Sequence, residues 1–254
     1  MGRIFCDAHV HTKFSCDSET GLAEYCEAAI AKGLGAVCFT DHIDHNAHDE
    51  GFGYYDAESF FAEFEEAKKK YRGKLEVLCG IEFAEPHMYG GILAEYSKYP
   101  YDFFMGVLHF WYRDLFASQL IKQNVPAEVC YSHYWAEALK AAESGGFDCF
   151  GHLDFPKRYY GRLLYDTEAI RDIFKAMIKN GICLEINTSP LRKGLGESMP
   201  DRELLTIYES CGGRRVTVGS DAHSAGELAA DHKYAAGLID FFGFEEAVFR
   251  NRKS

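Results

Sequence analysis

Short runs rich in β-branched and aromatic residues alternate with amphipathic helical stretches from one end of the sequence to the other. That alternation leaves few architectures open, because parallel strands need long crossovers and helices supply them. The runs lie near 3–9, 35–40, 75–82, 102–109, 147–152, 182–187 and 215–220, and each reads as a strand. Helices are expected near 22–32, 57–71, 127–143, 167–179 and 201–211. Asp56, Ser132, Thr167 and Asp201 stand near the expected starts, and Gly33, Gly145, Gly181 and Gly212 just past the ends. These residue types favour N-caps and left-handed C-terminal positions respectively. Seven strands in this rhythm predict an α/β fold, a βα barrel forming a single domain over residues 1–254. Residues 84–101 and 189–200 are the least regular stretches, and in a barrel long loops after the strands shape the substrate site.

Composition narrows the class. With 47% apolar and 26% charged residues the chain can bury a substantial core, which excludes a disordered or coiled-coil protein. No stretch approaches the roughly 18 consecutive apolar residues of a membrane span. The opening MGRIFCDAHV carries charge and a histidine where a signal peptide needs an apolar core. A cytoplasmic protein with no membrane partner is expected. There are 27 basic and 39 acidic residues, a net charge of −12 that repels polyanions, so no nucleic-acid partner is expected either. The oligomeric state is left open. Nine cysteines, odd in number, scattered and never spaced C-x-x-C, read as reduced core residues, with Cys16 as a small buried filler.

Six of the seven runs end in imidazole or carboxylate. The first closes on Asp7-Ala8-His9-Val10-His11, and since side chains alternate along a strand, His9 and His11 face the same way and can hold one ion together. The second runs into Thr40-Asp41-His42, the third into Gly80-Ile81-Glu82, the fourth into Leu108-His109. The fifth meets Gly151-His152-Leu153-Asp154 and the seventh Ser220-Asp221-Ala222-His223. All are C-terminal ends, where barrels build their active sites. Left unpaired and buried, such groups would each cost several kcal/mol, whereas first-row transition metals with nitrogen and oxygen ligands satisfy them together. A single catalytic ion takes about three protein ligands, and this larger set points to two or three ions. Paired ions about 3.5–4 Å apart suit phosphoester hydrolysis.

In this ordered set the sequence resembles the PHP (polymerase and histidinol phosphatase) superfamily, with its H-x-H, T-D-H, bridging Glu, two single histidines and terminal S-D-x-H. The match spans residues 7–223. The resemblance implies a distorted (β/α)7 TIM-like barrel with three divalent metal ions (Mn, Fe or Zn) at its C-terminal face. It puts one ion on His9, His11, Glu82 and Asp221, a second on Glu82, His109 and His152, and a third on Asp17, His42 and His223. Asp17 stands where some relatives carry histidine, and its oxygen donor favours the harder Mn or Fe there. Taken alone, a carboxylate in S-C-D-S is equally an ordinary turn residue.

Within the superfamily, F-S-C-D-S after H-x-H and G-H-L-D-F-P-K-R after the fifth strand resemble the histidinol-phosphate phosphatase branch. That likeness implies hydrolysis of L-histidinol phosphate in histidine biosynthesis, and a small phosphorylated metabolite as partner. Arg158 and Arg192, in the loops after the fifth and sixth strands, are the cations expected on the substrate phosphate. The resemblance points to both, and a guanidinium fork binds phosphate oxygens in pairs, although a loop arginine is ordinarily a surface residue. His45, just beyond T-D-H, is expected at the pocket mouth with His48, whereas His87, His133 and His232 are expected to be surface or structural.

With metals activating water, no nucleophilic side chain is needed. The leaving alkoxide needs a proton, for which Asp154 is the candidate, with His223 or water as rivals. Asp41 is expected behind the ligands, orienting one of them. A nuclease or nucleotide phosphoesterase would share every ligand, and the negative charge favours a small substrate over it; protein phosphotyrosine, the substrate of a protein-tyrosine phosphatase, stays open as an alternative. An amidohydrolase barrel also opens with H-x-H but wants a bridging lysine where this sequence has Leu108-His109. The complete ligand set argues against a non-catalytic, metal-stabilised module.

Overall fold

The computed structural model describes residues 4–254, so Arg3, at the start of the first expected strand, lies outside the described residues. The elements run β1 (Cys6–Val10), α1 (Leu22–Lys32), β2 (Ala36–Ile43), α2 (Ala57–Lys70), β3 (Glu76–Ala84), α3 (Gly90–Tyr96), β4 (Phe103–Val107), β5 (Phe110–Tyr112), β6 (Leu115–Phe116), α4 (Ala117–Lys122), α5 (Ala127–Ser144), β7 (Cys149–Phe150), α6 (Lys157–Tyr160), α7 (Thr167–Lys179), β8 (Cys183–Asn187), α8 (Ser189–Arg192), α9 (Arg202–Ser210), β9 (Arg215–Gly219), α10 (His232–Phe242) and β10 (Glu245–Glu246). The main sheet is parallel, in the order β1-β2-β3-β4-β7-β8-β9-β10, and β5 and β6 form a separate hairpin. All seven expected strands are present. An eighth, β10, was not expected: two glutamates carry no apolar signal.

The sheet curls until β1 meets β9. At the upper end the His11 amide donates to the Ala222 carbonyl at 2.9 Å. At the lower end the amides of Phe5 and Cys6 donate to the Glu246 carboxylate of β10 at 2.9–3.0 Å. The result is a distorted barrel whose seam is fastened at its two ends.

Alternation sorts the side chains into two layers. Ala36 and Cys38 of β2 pack inward with Leu78, Phe103, Met105, Cys149 and Cys183. Val37, Phe39, Val77, Cys79 and Ile81 pack outward against the helices. Continued upward, the inner rows reach Thr40 and His42 on β2 and Gly80 and Glu82 on β3. β1 needs a device to do the same. Cys6 pairs with Ala36 and Asp7 with Val37, but Val10 pairs with Phe39, three steps against two. This bulge reverses the alternation, so Cys6 and Ala8 stay in the inner layer while His9 and His11 also reach the barrel axis.

Helix starts follow the expected chemistry at Asp56 and Asp201, whose carboxylates accept the amides of Glu58 and Ser59, and of Glu203 and Leu204. Two assignments differ. Asp166 rather than Thr167 caps α7, and α5 starts after Pro126, which leaves Ser132 inside the helix on its exposed face. The irregular 84–101 and 189–200 stretches contain the short helices α3 and α8. The floor is closed by the C-terminal segment: Phe249 packs on Phe103, Arg250 pairs with Glu76, and Arg252 with Asp148.

Candidate metal centre

All nine expected ligands converge at the C-terminal end of the barrel, in four overlapping sets whose donor atoms lie within 4.8 Å of one another. Glu82 is the hub. Its Oε1 lies 2.8 Å from His152 Nε2, 3.5 Å from His9 Nε2 and 3.7 Å from His109 Nε2. Its Oε2 lies 2.8 Å from His42 Nδ1 and 3.6 Å from His11 Nε2. Asp221 Oδ1 sits 3.5 Å from His11 Nε2, and Asp17 Oδ2 sits 2.9 Å from His223 Nε2 and 3.5 Å from His42 Nε2. The sets differ in detail from the expected partition. Asp17, His42 and His223 come together with His11 added, while His109 and His152 join Glu82 in separate sets.

The donors fit divalent ions. Nε2 of His9 and His11, Nδ1 of His42 and Oε2 of Glu82 are buried without a hydrogen-bond partner, even though the last two approach to 2.8 Å. Lone pairs aimed at a shared point, not at one another's protons, are what ligands of a common ion present, and imidazole with carboxylate suits Mn, Fe or Zn. Protonation is shared unequally among the donors: against burial, Glu185 and Glu82 raise the His9 imidazole well above its ordinary value and Glu82 and Asp17 raise His42, protons that a bound cation would replace. Burial, then the nearby His223 and His42, pushes the His11 imidazole down to about 3 and keeps it neutral. Burial alone would raise the Glu82 carboxyl, but His42 and His9 hold it well below the usual range. Two ligands also sit in the left-handed region, His152 at φ 26° and Asp221 at φ 54°, a strain that non-glycine residues tolerate mainly at functional sites.

Buried carboxylates beneath the centre hold it in place. Glu185 accepts from His9 Nδ1 and from the His152 amide, both at 2.6 Å. Only glycine fits at 219, where a Cβ would collide with Glu185 and His9. Asp7 accepts from the Ser220 amide at 2.9 Å, and Glu85 from the amides of His109 and Phe110 at 2.7 and 2.9 Å. Asp44 lies 3.3 Å from His109 Nδ1. Asp41 stands behind the ligands and works through a hydroxyl: it binds Ser15 Oγ, which lies 3.2 Å from His11 Nδ1. Sequence reading missed Glu185, Asp7, Glu85 and Asp44. The available signal was acidic residues inside apolar strands, as in Ile182-Cys183-Leu184-Glu185.

A cavity of about 430 Å³ opens over the centre, with Asp44, Asp49 and Glu50 and the cations Arg158, Lys193 and Lys122 in its lining. Arg158 lies on α6, and its guanidinium donates to Asp221 Oδ2 at 2.8 Å and Ser189 Oγ at 2.9 Å. Four residues stand as follows. Arg192 is outside the lining, bound to the Asp221 carbonyl at 2.8 Å and to Glu227 at 3.1 Å. His45 is also outside it, packed against the rings of Phe83 and Tyr89, whereas His48 does line the cavity. Asp154 stands behind the wall, fully buried, with Lys157 Nζ 3.9 Å away and neither oxygen hydrogen-bonded. Burial pushes its carboxyl up to about 7, against the opposing charge of Lys157. Cys16 is no buried filler: it is exposed and lines the cavity.

A family model described as the PHP domain matches residues 7–189. A probable histidinol-phosphatase of Deinococcus radiodurans is 31% identical, the alignment covering 98% of this chain and 97% of the relative. Among solved structures, histidinol phosphate phosphatase from Lactococcus lactis, complexed with zinc, L-histidinol and phosphate, superposes with a TM-score of 0.87 at 26% identity, over 98% of this chain and 97% of that one. A chain from the metal-dependent tyrosine phosphatases of Bacillus subtilis and Streptococcus pneumoniae shares the fold, with a TM-score of 0.52 at 17% identity over 94% of this chain and 88% of that one.

Proposed function

This chain belongs to the PHP domain family, and on that premise we propose that it is a metal-dependent phosphomonoesterase that hydrolyses L-histidinol phosphate to L-histidinol and phosphate in histidine biosynthesis. The observation that carries the reading is the convergence of the nine ligand side chains, five histidines of them within 3.7 Å of Glu82, beneath a cavity that also holds Arg158. Full-length likeness to a phosphatase solved with L-histidinol and phosphate supports the substrate. We assign three divalent ions, of Mn, Fe or Zn, to the nine ligands; Glu82 would serve the first two, and Asp17, His42 and His223 would hold the third. When bound, such ions supply positive charge to the phosphoryl oxygens and a nucleophilic water near neutral pH.

The remaining roles fall to the chain itself. Arg158, fixed against Asp221 and Ser189, directs its guanidinium toward the phosphate space. Arg192 braces the Asp221 backbone from behind, and so positions a ligand. His223 would be engaged as a ligand, with its Nδ1 3.0 Å from the Asp221 carbonyl, and Asp154 lies behind the wall, so water in the cavity is left to return a proton to the leaving alkoxide. Aromatic rings of Phe116 and Phe155 pack beside His109 and keep that wall apolar.

The test is phosphate release by metal-loaded protein on L-histidinol phosphate, p-nitrophenyl phosphate, nucleotides, a phosphotyrosine peptide and single-stranded DNA. A kcat/KM on L-histidinol phosphate at least a hundredfold above every other substrate is expected. Preference for a nucleotide, the peptide or DNA would replace the substrate while keeping the metal chemistry.

A further inference from the structure

Lys193 follows α8 at the cavity rim, and its ammonium forms no hydrogen bond or ion pair with the described residues. In a chain with 39 acidic against 27 basic residues, carboxylates are in excess. Lys193 is exposed at the cavity mouth, free to meet a ligand there. Its two neighbours in charge are already engaged: Arg158 with Asp221 at 2.8 Å, Arg192 with Glu227 at 3.1 Å. Partial desolvation and then the proximity of Arg158 lower the Lys193 pKa, with Asp221 opposing them. A phosphomonoester carries nearly two negative charges at neutral pH; a phosphodiester carries one. Bound ions and Arg158 can take two of the monoester's three unesterified oxygens, and a free point-charge cation at the rim can take the third, which a diester has esterified.

We propose that Lys193 is a specificity-determining residue that binds the dianionic terminal phosphoryl group together with Arg158 and so favours phosphomonoesters over phosphodiesters. The inference rests on the phosphomonoesterase reading above. It also assigns the second substrate cation to a residue one position beyond Arg192.

The experiment compares wild type, Lys193→Met and Lys193→Arg as metal-loaded proteins. Each is assayed on L-histidinol phosphate and p-nitrophenyl phosphate, with bis(p-nitrophenyl) phosphate followed both as substrate and as competitive inhibitor. Loss of one charge-assisted hydrogen bond corresponds to about a tenfold to hundredfold effect. Lys193→Met is expected to lower kcat/KM on both monoesters by that factor, chiefly through KM. Diester turnover or inhibition stays within about twofold, Lys193→Arg retains most monoester activity, and metal content is unchanged. Equal losses on both ester classes, unchanged monoester kinetics, or loss of bound metal would each overturn the proposal. A wild type inactive on every monoester would instead overturn the phosphomonoesterase reading itself.

Discussion

At the floor of the barrel, Cys6, Ala8, Cys38 and Leu78 pack against Phe103, Ala247 and Phe249, and the polar groups around them are paired within the chain: Glu246 with the Phe5 and Cys6 amides, Arg250 with Glu76, Arg252 with Asp148. At the rim, the continuations of β1, β2 and β3 carry buried His9, His11 and Glu82 and half-buried His42, each with one buried donor atom unpartnered. The same strands thus end in two unlike environments. The floor is complete within the chain and stabilises it by apolar burial. The rim is complete only with cations, and without them its buried ligands oppose folding. Stability and chemistry should therefore separate along the barrel axis, and substitutions at each end can test whether they do.

The largest effect is expected at the hub. Glu82→Gln removes the carboxylate that four histidines approach within 3.6 Å, and turnover should fall by about a thousandfold or more, as removal of a central charge-stabilising group does. Elemental analysis should find metal lost, while chemical denaturation of the metal-free variant shows no loss of stability relative to metal-free wild type. Phe103→Ala, at the floor, is expected to do the reverse. It should cost about 3–5 kcal/mol in urea denaturation, yet leave kcat within about twofold at temperatures where the protein stays folded. A large fall in kcat there would mean that the two ends are mechanically coupled.

Asp154 sharpens the boundary, since it is buried near the rim but away from the cavity. Its carboxyl rises from an ordinary 3.8 to about 7 on folding. Both states are protonated below about pH 4, where this contribution is fully present. As pH rises toward 7 the unfolded chain ionises first, so stability declines, and above 7 the loss is complete. Asp154→Asn removes this titration. Urea denaturation of the metal-free proteins should show the variant gaining on wild type between pH 5 and pH 8, by on the order of a few kcal/mol at most. Parallel curves would mean that Asp154 is ionised in the fold. Glu185→Gln is the mildest rim change, since the amide still accepts from His9 or the His152 amide. Metal affinity should weaken by about 10–100-fold, read by competition with a chelator, with the far-UV circular dichroism of wild type.

The contrast between the ends also accounts for what could be read from the sequence. Eight of the nine ligands were legible because they stand at or just past the ends of apolar runs, a pattern that packing alone does not generate; Asp17, in a loop, was legible only through the family resemblance. The seven strands were legible from the same runs. The floor was not, because Glu245–Glu246 and the following segment cross the barrel bottom through backbone pairing and the Glu246, Arg250 and Arg252 side chains, without apolar periodicity. The β5–β6 hairpin turns through Arg113 and Asp114, both at positive φ, where glycine or asparagine would have announced the turn. At the site, Glu185 and Asp7 were hidden because a buried acid in a strand signals only once its partners, His9 and Ser220, are known to face it. Arg192 and Lys193 were separable only in three dimensions: adjacent residues, one turned to Glu227 and the other to the cavity.

The most direct test of a rim completed by cations is the number of ions bound per chain, measured by elemental analysis of wild type and Glu82→Gln after loading with excess Mn and gel filtration. Three ions in the wild type and fewer than one in the variant are predicted. An active wild type that binds none, or a Glu82→Gln protein that keeps all of them, would contradict the account.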